Sequence, residues 1–415
     1  MALVLAAVVI VFVVNNLLPS LSHSQWELLD TVPRGDSAGG DFRLGIYNPA
    51  ILLRDTGNPY TIPLPYSYIY PPLVAAAGIP LSYLPLGLAY RLHVLGLTIA
   101  AMASMVLVAD AARRTIPSPL SAVATHRTPV TIGVFGAVAF MLVSSYGFTF
   151  ALERGNYDAY ALLLATLALW LMVGKRRGAE YAAIVAVAAA AHLKVYPAAL
   201  FIPIIWRYGW RLVPHMTVAG LGLLFVTGVP NAFRFFQSLT SYPISVNDHN
   251  QSAYSFGNML AQHYGWNSIW LVAALTAIPV LIFVTGMLLL ALTRTQGDGL
   301  LWAFALALPL MAVVPAISHD YKLIILFPAI SILLFHLVMA PRVPNGLLLA
   351  TLAVAGVICR SPNYLSWGPW ANKYPAVVLL QLLVLAAIFL LSRVASRGLG
   401  TAEESAPASV SGEEI

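Results

Sequence analysis

Residues 157–173, YDAYALLLATLALWLMV, run into the loop Gly174-Lys175-Arg176-Arg177-Gly178, and a second apolar run, AEYAAIVAVAAAAHL, follows at 179–193. Two apolar stretches of helical length joined by a compact basic loop are two membrane helices turning on the cytoplasmic side, where short loops collect Lys and Arg. The same alternation extends in both directions. Apolar runs fall near 2–18, 85–111, 129–147, 157–173, 179–193, 196–206, 212–229, 267–292, 299–317, 323–340, 344–359 and 375–392. That spacing predicts an all-α, polytopic transmembrane bundle of about twelve helices, an even number that puts both termini in the cytoplasm. The stretch 72–84 is too short and too proline-flanked to span, and it suits a re-entrant or interfacial helix. The pair meeting at Lys194-Val195-Tyr196-Pro197 reads either as a tight hairpin or as one broken helix.

Composition agrees with lipid as the solvent. The chain has 415 residues, of which 60% are hydrophobic and 9% charged, with a mean hydropathy of +0.81; a soluble domain carries about 25% charged residues. The formal charge of +6 is spread thinly between apolar runs, so membrane orientation rather than nucleic-acid binding is the expected use of the basic residues. The single cysteine, Cys359, leaves no internal disulfide and no Cys-based metal site. The first run, Ala2 to about Leu18, lacks a basic start and an A-x-A site and reads as a retained helix. One transmembrane domain over 1–395 is expected, with 19–84 an outer loop carrying interfacial helices. The Ala/Ser/Glu-rich segment 396–415 is expected to be a disordered cytoplasmic tail.

The polar residues collect on the side opposite the basic loops, in segments 19–70, 148–158, 230–266 and 318–322, with the Trp-rich 360–374 beside them. A passive bundle does not require such one-sidedness. In the first loop, Asp41 follows Gly39-Gly40 and precedes an apolar helix near 42–54. It is either a cap for that helix or a general base taking a proton from an acceptor hydroxyl. Tyr47, Tyr60 and Tyr70 follow in the same loop. In Glu153-Arg154-Gly155-Asn156-Tyr157-Asp158, charge enters at the membrane boundary, where it must be paired or hydrated. Arg154 either pairs with Glu153 or Asp158, or joins Asn156 and Asp158 as a hydrogen-bonding platform for a sugar or headgroup. Lys194 either snorkels, pairs with a carboxylate or meets an anion such as a lipid phosphate, and Pro197 breaks the helix beyond it. His249, Asn250 and Gln251 lie in the densest polar run, either a solvated turn or part of the site. In Ser318-His319-Asp320-Tyr321-Lys322, Asp320 and Lys322 either pair or join His319 in handling a proton or a phosphate.

No glycine-rich nucleotide motif, HExxH or Gly-x-Ser-x-Gly occurs. No metal and no cofactor are expected, and any donor must arrive already activated. Taken in order, Asp41-Phe42 with Tyr47, Gly57-Asn58-Pro59-Tyr60, Tyr70-Pro71-Pro72, Arg154-Gly155-Asn156, Lys194 with Pro197, Asn250-Gln251-Ser252 and Ser318–Lys322 resemble the glycosyltransferase C superfamily, in particular glycosyltransferase family 87. The resemblance covers about residues 39–330. It implies a multi-helix fold with its site at the outer face of the plasma (inner) membrane. It also implies a sugar, mannose favoured and arabinofuranose possible, moved from a polyprenyl-phosphate carrier to a glycolipid or polysaccharide acceptor. Asp41 maps onto the family's base and Lys194 onto its donor-phosphate contact, with Lys322 and Arg154 as further phosphate-binding cations. Tyr321-Lys322 stands where many members have a His-His pair. The competing expectations are a lipid or sugar transporter, which would set paired charges near the midplane and often double its hydropathy pattern, and an inactive assembly subunit.

Overall fold

A computed structural model of the chain describes residues 39–61, 68–115, 124–174, 177–244, 246–247, 249–293, 299–340, 344–360 and 368–404. The expected first helix, 2–18, lies outside the described residues, as do Asp248, Trp367 and the last residues of the expected tail.

The described chain is helical throughout, with no strand beyond one isolated bridge between Asn250 and His319. By length and composition, four helices can cross a membrane: Leu86–Thr115, Ser268–Leu292, Asp320–Met339 and Tyr374–Ser392. Two bent pairs raise this to six, Pro129–Val143 with Tyr146–Arg154 at 54° and Trp210–Leu224 with Val229–Ser241 at 92°. Five shorter apolar helices accompany them, among them Asp158–Val173 and Ala179–Leu193. A helix of 16 residues such as Asp158–Val173 reaches only about 24 Å, against the ~30 Å of a hydrocarbon core. The twelve crossings expected from the sequence therefore do not appear as twelve full-length spans among the described residues.

Three further differences bear on the site. The loop expected over 148–158 is mostly helix, Tyr146–Arg154, ended by Gly155 in the left-handed conformation (φ 64°). The loop expected over 230–266 holds two helices, Val229–Ser241 and Ala253–Tyr264. The second is capped by the Ser252 hydroxyl, which accepts from the Ser255 N–H. The final helix runs on to Glu404, into the segment expected to be disordered.

The bundle is layered. Every residue of Gly299–Val313 is buried, and 89% of the apolar window in Asp320–Met339 lies inside the protein. These two helices form the centre, so the polar turn between them, 314–319, sits at the head of the core. Ser268–Leu292 is an outer helix, exposing Ile269, Trp270, Leu281, Leu288 and Leu292. Such a surface suits lipid rather than water. The first loop folds over the head of the bundle as a helix from Gly40 to Thr56, with a π-helical turn over Arg43–Tyr47. Pro72–Gly78 and a 3₁₀ turn over Ile79–Tyr83 follow, where the sequence suggests a re-entrant or interfacial helix.

Candidate active site

The site is organised by one short turn, Arg154-Gly155-Asn156-Tyr157-Asp158. Its first half holds Asp41. The Arg154 guanidinium donates from Nε (3.1 Å) and Nη2 (2.7 Å) to Asp41 Oδ1, and Asn156 Nδ2 donates to Oδ2 at 2.9 Å. Asp41 lies in the first helical turn but caps nothing, because the N-cap position belongs to Gly39 (φ 70°). The Gly39 N–H donates instead to the Glu153 carbonyl at 2.8 Å, stitching the two segments together. A carboxylate offers about four lone-pair sites; these three bonds leave one, on Oδ2.

The second half of the turn holds Lys194. The helix Ala179–Leu193 stops at Lys194, whose backbone is extended (φ −147°, ψ 129°), and a 3₁₀ turn begins at Tyr196. The break turns the side chain into a buried site where Asp158 Oδ2 lies 3.4 Å from Nζ. The ammonium also lies over the rings of Tyr70 (4.8 Å), Tyr157 (4.9 Å) and Tyr321 (5.3 Å), a cation–π enclosure that offsets lost hydration. Burial opposes its charge, but Asp158, Tyr70 and Asp41 outweigh burial and hold the lysine above its ordinary value. Tyr196 donates a short hydrogen bond to Asp158 Oδ1. Lys322 Nζ lies 4.7 Å from the Tyr196 ring centre and donates to the Ile317 carbonyl at 2.5 Å.

A third group closes the head of the core. Asp320 is fully buried, accepting from Gln251 Nε2 and Lys373 Nζ at Oδ1 (3.0 Å each), with His249 Nδ1 3.2 Å from Oδ2. Asn250 receives the Ser318 N–H on Oδ1 and donates to the Ala316 carbonyl, both at 2.9 Å. Asn250 and Gln251 thus fix the turn 316–320 and are not a solvated loop. His319 lies at the bridge to Asn250. Burial lowers the His319 imidazole below its ordinary value, while Asp41 and Asp320 act in the opposite sense.

Several pairings expected from the sequence are replaced. Arg154 pairs with Asp41, not with Glu153 or Asp158. Glu153 is buried and neither carboxylate oxygen receives a hydrogen bond. Asp320 pairs with Lys373 and His249, not with Lys322. A 3₁₀ turn starts at Asp320, so residues 320 and 322 diverge. Tyr47 and Tyr60 spend their hydroxyls on the Leu84 and Tyr70 carbonyls, which shapes the first loop. Of the three tyrosines named from that loop, Tyr70 reaches Lys194. Tyr157, Tyr196 and Lys373 were not singled out as site residues from the sequence. The first two are signalled by position, each one or two residues from a charge entering the membrane boundary.

An all-helical, lipid-facing bundle that gathers a carboxylate, two cations and a polar turn at the head of its core is a membrane protein with an enclosed polar cluster. The chain belongs to glycosyltransferase family 87, whose model matches residues 68–318, well over half of its length. Arg154, Asn156, Asp158, Lys194 and residues 249–251 fall inside the match, while Asp41, His319 and Lys373 lie beyond its ends. A solved structure similar to the chain is ArnT from Cupriavidus metallidurans in the apo state, at 14% identity and a TM-score of 0.40, covering 85% of this chain and 71% of that one. No curated protein matches the chain. It is a membrane glycosyltransferase.

Proposed function

We propose that the protein transfers a sugar, mannose in preference to arabinofuranose, from a polyprenyl-phosphate carrier to a glycolipid or polysaccharide acceptor at the outer face of the plasma membrane. One observation carries the reading. The turn 154–158 grips the Asp41 carboxylate with Arg154 and Asn156 and the Lys194 ammonium with Tyr157 and Asp158. A base and a phosphate-directed cation are thereby held a few residues apart.

In this reaction the acceptor hydroxyl gives its proton to the remaining Oδ2 site of Asp41 as its oxygen attacks the anomeric carbon. The bond from that carbon to the phosphate oxygen breaks, and its electron pair leaves with polyprenyl phosphate. Arg154 and Lys194 stabilise the charge that grows on this phosphate, a term that rewards fixed donors in a water-poor site. The two cations differ in reach. The Arg154 side chain is 35% exposed and that of Lys194 10%, so Arg154 makes the direct contact and Lys194 supplies a fixed field. Lys322 is more deeply enclosed still, its Nζ turned to the Ile317 carbonyl.

The test is transfer by purified protein in detergent, offered polyprenyl-phosphate mannose or polyprenyl-phosphate arabinofuranose with a membrane-glycolipid acceptor fraction. Turnover in detergent separates transfer from transport, because no compartments remain. Asp41→Asn keeps the size and the Arg154 contact but removes the base. It is expected to fold and to lose transfer, and an active Asp41→Asn protein would refute the base assignment.

A further inference from the structure

Lys373 is a charged side chain with no exposed surface, placed immediately before the last membrane helix at Tyr374. Burying a lone ammonium this deeply is costly unless a carboxylate answers it, and Asp320 does so at 3.0 Å. The arrangement extends beyond a pair. The Lys373 N–H donates to the Gln251 side-chain oxygen, while the Gln251 amide donates to Asp320. Asn372 Nδ2 donates to the Asn250 carbonyl at 2.7 Å, and Gln251 N–H donates to the Ser318 carbonyl at 2.6 Å. Residues 372–373 therefore tie two segments already bonded to each other, 249–252 and 316–320, to the foot of the final helix. Each locked segment delivers a histidine. His249, a third exposed, rests its Nδ1 on Asp320, and the His319 ring stands 5.6 Å from the ring of Tyr321, over which the Lys194 ammonium lies at 5.3 Å.

We propose that Lys373 and Asp320 are positioning residues for sugar transfer, a buried ion pair that fixes where His249 and His319 stand in the site. Neither member of the pair is required to touch substrate. Asp320 orients His249 through Nδ1 and sets the backbone of His319 next to it, and Lys373 balances the charge that Asp320 would otherwise leave buried. The inference rests on the transferase reading above.

The experiment compares Lys373→Met, the double variant Asp320→Leu/Lys373→Met, and wild type. The measurements are thermal unfolding in detergent and kcat and KM for transfer. Breaking one half of a buried pair is strongly destabilising, whereas replacing both halves by apolar groups of similar size is often neutral. The single variant is expected to unfold early or fail to accumulate. The double variant is expected to recover most of the melting temperature lost by the single one, short of wild type because the Gln251 amide loses its acceptor, while its kcat stays down about 100-fold, the scale of an ångström-size misplacement, with KM little changed. A double variant that recovers both melting and kcat overturns the proposal, since the pair would then be structural support alone. So does a double variant whose loss lies wholly in KM. Wild-type protein without transfer from any polyprenyl-phosphate sugar fails the transferase reading instead, and the positioning role falls with it.

Discussion

Gly155→Ala is the sharpest single perturbation of the turn that carries both halves of the site. Gly155 has φ 64°, and placing an alanine in the left-handed region costs about 1–2 kcal/mol. A methyl group there would also stand 2.6 Å from the Phe42 Cβ and 3.2 Å from the Tyr90 ring. The Phe42 Cβ is not the free end of a flexible side chain, so the Gly40–Thr56 helical segment has to move, which adds about 1–3 kcal/mol of overpacking. The total is roughly 2–5 kcal/mol. Phe42 is the neighbour of Asp41, so the movement pulls the carboxylate away from Arg154 and Asn156, and a shift of about an ångström lowers transfer about 100-fold. The control is Gly178→Ala, where φ is 79° and an added Cβ meets nothing within 4 Å. That variant should bear the backbone cost alone and keep wild-type turnover. Thermal unfolding and transfer rate of both variants in the same detergent decide the matter. Equal losses in the two, or a fully active Gly155→Ala, would refute the claim that the turn sets the position of Asp41.

Asp158→Asn leaves the Lys194 ammonium buried with its aromatic rings but without its nearest counter-charge. A loss of about 3–5 kcal/mol is expected in chemical unfolding, and a loss near zero would show that the three tyrosines and the more distant Asp41 support the charge without Asp158. The His319 imidazole sits below its ordinary value of 6.5 because burial resists its protonation. The unfolded chain therefore takes up a proton that the folded protein refuses, and stability falls as pH drops from about 6.5. Melting scans between pH 7.5 and 5 should show a shallower decline for His319→Gln than for wild type, and parallel curves would contradict the lowered value.

Helices that are apolar along most of their length were legible in the sequence almost to the residue. Ala179–Leu193 and Ser268–Leu292 are apolar along their length and end at a charge or a loop. Val229–Ser241 and Ala253–Tyr264 were not legible, because their mixed polar and apolar residues read as loop when only long apolar runs count. Their start signals were nonetheless present, Pro230 at the first turn of one and Ser252 as the cap of the other. Asp41, Arg154, Lys194 and Asp158 stood out singly, since charge at a membrane boundary requires a reason. Their partnerships did not, as Asp41 and Arg154 are 113 positions apart and nothing local links them. Lys373 was hidden for the opposite reason. It closes a Trp-rich loop, where a lysine looks like an interfacial anchor, and its carboxylate lies 53 positions earlier.

Because Asp41 and Lys194 are both fastened to the same five residues of backbone, their separation behaves like the jaw setting of a locked caliper. Helices that tilt or part to admit a substrate carry both jaws along together. The gap between carboxylate and ammonium is then set by the geometry of one tight bend rather than by the momentary packing of the helices around it.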